Sequence, residues 1–146
     1  MRPGLYAFAA AAVFLGATIY IGFVEHPARL KLSGPAMIQE WKLSNRRGTL
    51  TLSVFAVVSA ILAYIQFRAN GDVRWLIGGT TILASWPYAY FVMMPVNVWL
   101  YVIPPAKAVS PVRELMRDWG LLEWGHALIG FVACCASPGR WSCRCD

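Results

Sequence analysis

The last apolar stretch of the chain carries the side chains best suited to chemistry. Trp119, Glu123 and His126 recur at the i, i+4, i+7 spacing, so a helix would place all three on one face. At the i, i+3 spacing of the last two, a carboxylate can hydrogen-bond an imidazole, hold it in one tautomer and raise its basicity. The pair therefore predicts a general base inside a helix. The alternative interpretation is a buried polar pair that only locks helix packing.

A second group of polar side chains closes the first and third apolar stretches. Glu25, His26 and Arg29 end the first stretch, and Asn97 follows Pro95 late in the third. Ionisable groups are costly in lipid, so they are functional candidates wherever they occur beside a span. In a four-span chain these residues share one side of the membrane, and the span-four pair lies about one to two helical turns below them. Both histidines of the chain then fall near one layer, which indicates a site; a His26 bonded to a loop carbonyl is the alternative.

The Glu-x-x-His spacing also occurs in di-iron helical bundles. Those sites need two such motifs and two more glutamates from facing helices. This chain has one motif, and Glu25 is the one obvious further ligand in the layer. We therefore expect no metal, with a metal site as the weaker alternative.

The helices that position these residues are predicted by an unusually apolar composition. Of the 146 residues, 58% are hydrophobic and 14% are charged, whereas soluble domains carry roughly 25% charged residues. Residues 5–24, 48–67 and 75–103 contain no charge, and 120–137 is apolar apart from the Glu–His pair. A bilayer core takes about 20 apolar helical residues, and backbone groups in lipid must pair within the segment. The sequence therefore predicts an all-α fold, a four-helix transmembrane bundle.

One membrane domain is predicted, residues 1–137, followed by an unstructured tail, 138–146. Its spans are placed at about 4–24, 48–67, 75–99 and 119–137, with short interfacial helices in the first and third loops. A cleaved signal peptide is the minority alternative for the first span, because the apolar run continues past any clear small-residue cleavage site.

Prolines mark where these helices should end or bend. Pro27 predicts that the first helix ends just before it, because proline disfavours helical geometry in the preceding residue. Pro87 and Pro95 each predict a kink in the turn before them. Residues 36–46, with apolar side chains on one face and basic ones elsewhere, are predicted to form the interfacial helix of the first loop.

The basic residues predict orientation. Loops one and three together carry eight Lys and Arg residues, at positions 29, 31, 42, 46, 47, 107, 113 and 117, and the opposite side carries five, at positions 2, 68, 74, 140 and 144. The positive-inside rule then places both loops in the cytoplasm and both termini outside. The net charge of +6 is interpreted as a determinant of membrane orientation and as attraction to lipid head groups. We expect no nucleic-acid partner.

Four short motifs in order resemble the anthrone-oxygenase-like family of small membrane proteins. They are His26-Pro27-Ala28-Arg29 after the first span, Trp41 in the first loop, Met94-Pro95-Val96-Asn97 in the third span, and Trp119-Gly120-x-Leu122 at the start of the fourth. The resemblance covers residues 5–135. It implies a four-span protein, and fungal members of the family oxidise the activated methylene of an anthrone to an anthraquinone with molecular oxygen, without flavin or haem.

This resemblance implies roles for particular residues and no cofactor. His26 would be the base, and Arg29 and Asn97 would stabilise the enolate oxygen. Trp41, Trp119 and Tyr88 are the expected substrate walls. The chain departs from the family after Trp-Gly-x-Leu, where Asn or His is usual and an Arg follows three residues later. Glu123 and His126 occupy those positions here, and they are expected to take part as a base.

Two other classes of function fit the same sequence. One is a non-catalytic four-span membrane protein, either a helper subunit or a lipid-binding protein. The other is a small transporter, which four spans would support only as an oligomer. The expected partners are the lipid bilayer, a small aromatic or polyketide substrate and a second copy of the chain. The expected location is a membrane, an endomembrane if the source is eukaryotic.

Overall fold

The fold is all-α, as the composition predicts. The structure is a computed structural model that describes residues 3–107 and 110–137, and this part of the chain contains helices and connections but no strand. The predicted C-terminal tail, 138–146, lies outside the described residues.

Two helical rods form the first half of the chain. The first rod consists of α1 (Pro3–Tyr20), a π-helical turn (Ile21–Glu25) and α2 (His26–Arg29). The second rod is the single helix α3 (Gly34–Asn70). These two rods are the elements that the first two uncharged stretches predicted.

The second half of the chain forms a broken rod and a continuous one. The third rod consists of α4 (Val73–Leu83), α5 (Ser85–Tyr88), a π-helical segment (Ala89–Met93) and α6 (Met94–Val102). The fourth rod is α7 (Ser110–Ala136), which runs from the third loop into the last apolar stretch without a break.

The rods form an antiparallel ring in which each one contacts two neighbours. The first and third rods each pack against the second and the fourth. Gly4 N–H donates to Gln66 Oε1 at 2.9 Å, and Ser59 Oγ donates to the Ala7 carbonyl at 2.9 Å, so α1 and α3 run in opposite directions. The four-helix bundle predicted from the sequence is thereby confirmed.

Three helices of the described chain are long and apolar enough to cross a membrane. They are Pro3–Arg29, Gly34–Asn70 and Pro111–Ala136. No helix of the third rod is among these three. Large apolar side chains such as Leu121 and Phe23 are about 70% exposed (70% and 68%), and an outer surface of this kind is suited to lipid rather than water.

The first helix passes through Pro27 instead of ending before it, so that prediction is wrong. Proline lacks an N–H, and its ring would clash with the carbonyl four residues earlier, Phe23 in this chain. The backbone avoids the clash by widening into a π-helical turn, in which His26 N–H donates to the carbonyl of Ile21, five residues back. The helical backbone then continues to Arg29 and brings its side chain to the second rod.

The third rod is interrupted in the two stretches where Pro87 and Pro95 predicted kinks. α4 ends at Leu83, and Ala84 separates it from α5. Before Pro95 the chain forms its second π-helical segment, which closes with a hydrogen bond from Met94 N–H to the Ala89 carbonyl. Pro27 and Pro95 therefore produce the same local structure in two different rods.

Residues 36–46, predicted to form an interfacial helix, are helical and continue without a break into the rest of α3. α3 has 37 residues, about 55 Å of helix, whereas a hydrocarbon core is about 30 Å thick. The N-terminal part of α3 therefore extends beyond the uncharged stretch. It packs with α6 and the start of α7 in a core made of Met37, Ile38, Trp41, Met93, Leu100, Val112, Met116 and Trp119.

The turn between α3 and α4 allows a simple test of the fold. Asp72 is the N-cap of α4, and its Oδ1 accepts a hydrogen bond from Arg74 N–H at 3.1 Å. A hydrogen bond from the Arg74 guanidinium lowers the pKa of the Asp72 carboxyl, so the cap stays ionised to a lower pH than a free aspartate. Asp72→Ala should lower the free energy of unfolding by about 1 kcal/mol, measured by thermal unfolding in neutral micelles. Asp72→Asn keeps the acceptor and should lose much less; equal losses would contradict the capping role.

Candidate functional site

A cavity of about 1060 Å³ lies among the four rods, at the end of the bundle where the N-terminal part of α3 extends beyond its uncharged stretch. Each rod contributes to its wall: Phe14 from the first, Leu52 from the second, Met93 from the third and His126 from the fourth. Most of the wall is apolar. A cavity of this kind, with a few convergent polar groups, is the usual form of a small-molecule site.

The Glu123–His126 pair lies in the cavity wall and makes the hydrogen bond that its spacing predicted. The distance between His126 Nδ1 and Glu123 Oε2 is 3.2 Å, and both side chains are about nine-tenths buried. With Glu123 ionised, Nδ1–H donates to the carboxylate, and the lone pair of the imidazole is then on Nε2. His126 Nε2 and Glu123 Oε1 have no hydrogen-bond partner among the described residues. The pair thus retains one acceptor on each side chain for a ligand.

Aromatic contacts fix the His126 ring. Its centroid lies 5.2 Å from that of Tyr88 and 6.3 Å from that of Phe14, edge to face in both cases. Tyr88 Oη donates to the Leu122 carbonyl at 2.6 Å, and this approach needs Gly125, where a Cβ would lie 2.1 Å from Oη. Tyr88 therefore lies behind His126 and positions it, and is not itself part of the cavity wall.

Asn97 and Trp119 are joined across the third and fourth rods, and both line the cavity. Trp119 Nε1–H donates to Asn97 Oδ1 at 2.9 Å. This bond uses the amide oxygen of Asn97 and leaves its NH₂ group as a donor. The π-helical segment before Pro95 brings this amide to the same cavity as the Glu123–His126 pair.

An ion-pair cluster occupies the polar end of the cavity. The buried Arg29 guanidinium contacts the carboxylates of both Glu25 and Glu40, and Ser44 Oγ donates to Glu25. The Arg29 guanidinium also lies over the Trp119 ring, 5.4 Å from its centroid. Glu25, Glu40 and Ser44 line the cavity, whereas Arg29 lies behind them.

His26 and Trp41, two residues singled out by the family resemblance, are covered by neighbouring side chains. His26 packs on Gly120 of α7, where a Cβ would lie 2.1 Å from its Nε2, and its Nδ1 is buried without a described partner. Trp41 is fully buried between Tyr101 and Trp119. Neither residue lines the cavity.

The structure thus divides the predicted site residues into two groups. The cavity wall contains Asn97, Trp119, Glu123 and His126, and the surrounding packing contains His26, Arg29, Trp41 and Tyr88. Sequence reasoning missed Glu40, which pairs with Arg29 from the extended part of α3. The signal that could have found it is the i, i+4 spacing of Glu40 and Ser44 on one helix face, opposite the charges that close the first span.

Among residues 3–107 and 110–137, no three His, Cys, Asp or Glu side chains are grouped as metal ligands. Comparisons with protein-family models, curated proteins and solved structures give no match for this chain. The geometry of the cavity is therefore the basis for a functional assignment.

Proposed function

We propose that this chain is a multi-pass membrane protein that binds a flat aromatic molecule in the cavity and oxidises its activated methylene with molecular oxygen. The observation that carries the proposal is the carboxylate–imidazole pair in the wall of an otherwise apolar cavity. The resemblance to the anthrone-oxygenase-like family supplies the reaction class. The third rod makes the fourth membrane crossing in this proposal, although two interruptions divide it into shorter helices.

The size and lining of the cavity support a planar, apolar ligand. Its volume, about 1060 Å³, lies just above the range of about 300–1,000 Å³ that is usual for small-molecule pockets. Phe14, Trp86 and Phe91 provide aromatic surface on two sides, and aromatic rings favour offset or edge-to-face contact with one another.

His126 acts as the base in this proposal, with Glu123 as the residue that orients it. Nε2 of His126 removes a proton from the methylene of an anthrone, and the resulting imidazolium is stabilised by the Glu123 carboxylate. The carbanion is delocalised onto the carbonyl oxygen, and in this proposal the NH₂ group of Asn97, whose amide oxygen accepts from Trp119, donates to that oxygen. This assignment moves the base from His26, which lies outside the cavity wall, to a histidine within it.

Oxygen completes a balanced reaction. The enolate transfers electrons to O₂, and a C–O bond forms at the former methylene to give a hydroperoxide after protonation. Loss of the remaining C–H proton with cleavage of the O–O bond then gives the quinone carbonyl and one water. The sum is anthrone plus O₂ gives anthraquinone plus H₂O, with the proton taken by His126 returned to the departing oxygen.

The hydrogen bonds within the polar layer also favour a second candidate, a lipid-binding protein without catalysis. Asn97 is hydrogen-bonded to Trp119, Glu123 is hydrogen-bonded to His126, and Arg29 is paired with both Glu25 and Glu40. In that case the cavity would hold a lipid and the polar layer would be structural.

Oxygen consumption separates the two candidates. Membranes that contain the chain should consume O₂ and form anthraquinone from an added anthrone at a rate proportional to the amount of protein, above spontaneous oxidation in membranes without it. One O₂ should be consumed for each quinone formed. A rate equal to that of empty membranes would rule out the oxygenase and leave the lipid-binding candidate.

A further inference from the structure

The charged end of the cavity coincides with the boundary of the apolar part of the bundle. Glu40 and Arg47 of α3 precede the uncharged residues 48–67, which correspond to about 30 Å of helix. Glu25 follows the uncharged stretch of the first rod in the same way. A ligand that fills the cavity therefore has one end at the membrane surface, beside these charges, and its body among the apolar side chains.

The charged side chains that line the cavity at this end are two carboxylates, Glu25 and Glu40, and one guanidinium, Arg47. One guanidinium, Arg29, contacts two carboxylates, Glu25 and Glu40, so the cluster carries a net charge of −1 with all three groups ionised. Both carboxylates reach the cavity, and the Arg29 side chain is only 1% exposed behind them. Arg47 is the one Lys or Arg among the described residues of the wall, and it is exposed and therefore screened by water and salt.

A third carboxylate faces the cavity from α7. The Glu123 side chain is 5% exposed, and its Oε1 has no described hydrogen-bond partner. A buried acceptor of this kind is costly when unpaired, and a hydroxyl or amine hydrogen of the ligand would satisfy it, whereas an anionic oxygen would be repelled. The hydroxyl groups that line the cavity, from Ser44, Thr49, Thr51, Ser53 and Ser85, provide further partners for uncharged polar groups.

We infer that the cavity selects by charge: it accepts a flat amphiphile whose polar end is uncharged and bears hydroxyl donors, and it discriminates against one that ends in a carboxylate. Glu25 and Glu40 are the residues that set this preference. The inference rests on the proposed function in taking the bound molecule to be the aromatic substrate. The side chains of Glu25 and Glu40 are 24% and 37% exposed, so water screens part of their repulsion of an anionic group, and the expected preference is moderate.

The test compares two anthraquinones that differ only at one end, 2-(hydroxymethyl)anthraquinone and anthraquinone-2-carboxylate. The purified chain in uncharged detergent micelles is titrated with each at neutral pH, and binding is followed by quenching of tryptophan fluorescence, since Trp86 and Trp119 line the cavity. The wild-type chain should bind the hydroxymethyl compound about tenfold more tightly, which corresponds to about 1.4 kcal/mol.

Two variants, one that removes a negative charge and one that removes a positive charge, serve as internal references. How each probe partitions into micelles is the same for every variant, so a change in the ratio of dissociation constants reports the protein. Glu40→Gln removes one negative charge with little change of shape and should reduce the preference at least threefold. Arg47→Gln removes a positive charge that water and salt partly screen, so it should increase the preference by a smaller factor than the reduction from Glu40→Gln. Glu114→Gln, on an exposed part of α7 outside the cavity wall, should leave the ratio of the two dissociation constants unchanged.

The outcomes distinguish this inference from the oxidation chemistry. Equal or tighter binding of the carboxylate by the wild-type chain, or a ratio that neither Glu40→Gln nor Arg47→Gln changes, would overturn charge selection. Failure of both probes to quench would overturn the cavity as a site for flat aromatic molecules. If the ratios of dissociation constants are as expected but the chain oxidises no anthrone, the charge selectivity stands and only the oxygenase activity is rejected.

Discussion

His126→Gln should lower the rate of anthrone oxidation by about 10²- to 10⁴-fold, the contribution usual for a positioned general base. Glutamine keeps hydrogen-bonding capacity near Glu123 but has no basic nitrogen to accept the methylene proton. The measurement is quinone formation per folded protein in micelles, with spontaneous oxidation subtracted. Binding of 2-(hydroxymethyl)anthraquinone should change much less than the rate, because the imidazole acts mainly in the transition state.

His26→Gln provides the matched control for this prediction. It also replaces a buried histidine, but one that lies against Gly120 and outside the cavity wall. Its effect should be on stability, with the rate per folded protein falling less than about tenfold. The reverse result, in which His26→Gln abolishes oxidation and His126→Gln does not, would restore His26 as the base and contradict the assignment made from the cavity.

Gly120→Ala should destabilise the bundle, although alanine is the better helix former. The new methyl group would lie 2.1 Å from His26 Nε2 and 2.4 Å from its Cδ2, far inside contact distance. The His26 ring is buried, so α2 and α7 must move apart. Overpacking of this kind costs about 1–3 kcal/mol or more, against a gain of up to about 1 kcal/mol in helix propensity. The net loss should appear as a lower midpoint of thermal unfolding in neutral micelles.

Gly16→Ala is the corresponding control within α1. Apart from its chain neighbours and the backbone of its own helix, nothing lies within 4 Å of the position that its Cβ would occupy, so the change should be neutral or stabilising by up to about 1 kcal/mol. A Gly120→Ala variant as stable as Gly16→Ala would mean that His26 does not pack on α7 as described. The contact that covers His26 would then be absent from the folded protein.

The helices were predictable because the bilayer places a simple demand on the chain. Long uncharged stretches and the need to pair every backbone group give helices of known length, and the four rods follow them. The behaviour at Pro27 was not predictable in this way. Whether a proline ends a helix or widens it into a π-helical turn depends on tertiary contacts, here the one that Arg29 makes with Glu40 of α3.

The candidate site was predictable where its residues share one helix. Glu123 and His126 are neighbours on a helix face whatever surrounds that helix, and their hydrogen bond was predicted from spacing alone. The burial of His26 and Trp41 depends on contacts between rods, which spacing along one chain segment does not determine. Gly120 held the relevant signal, because a glycine inside a helix often marks a close approach by another element.

Proton exchange without oxygen is the measurement that tests the central claim most directly. An anthrone is incubated with the purified chain in D₂O under anaerobic conditions, and the loss of methylene protons is followed by NMR. The wild-type chain should accelerate exchange well above the rate in empty micelles, and His126→Gln should abolish that acceleration, because proton removal precedes the reaction with oxygen. Exchange at the rate of empty micelles, or equal acceleration by both proteins, would contradict a base at His126 in this cavity.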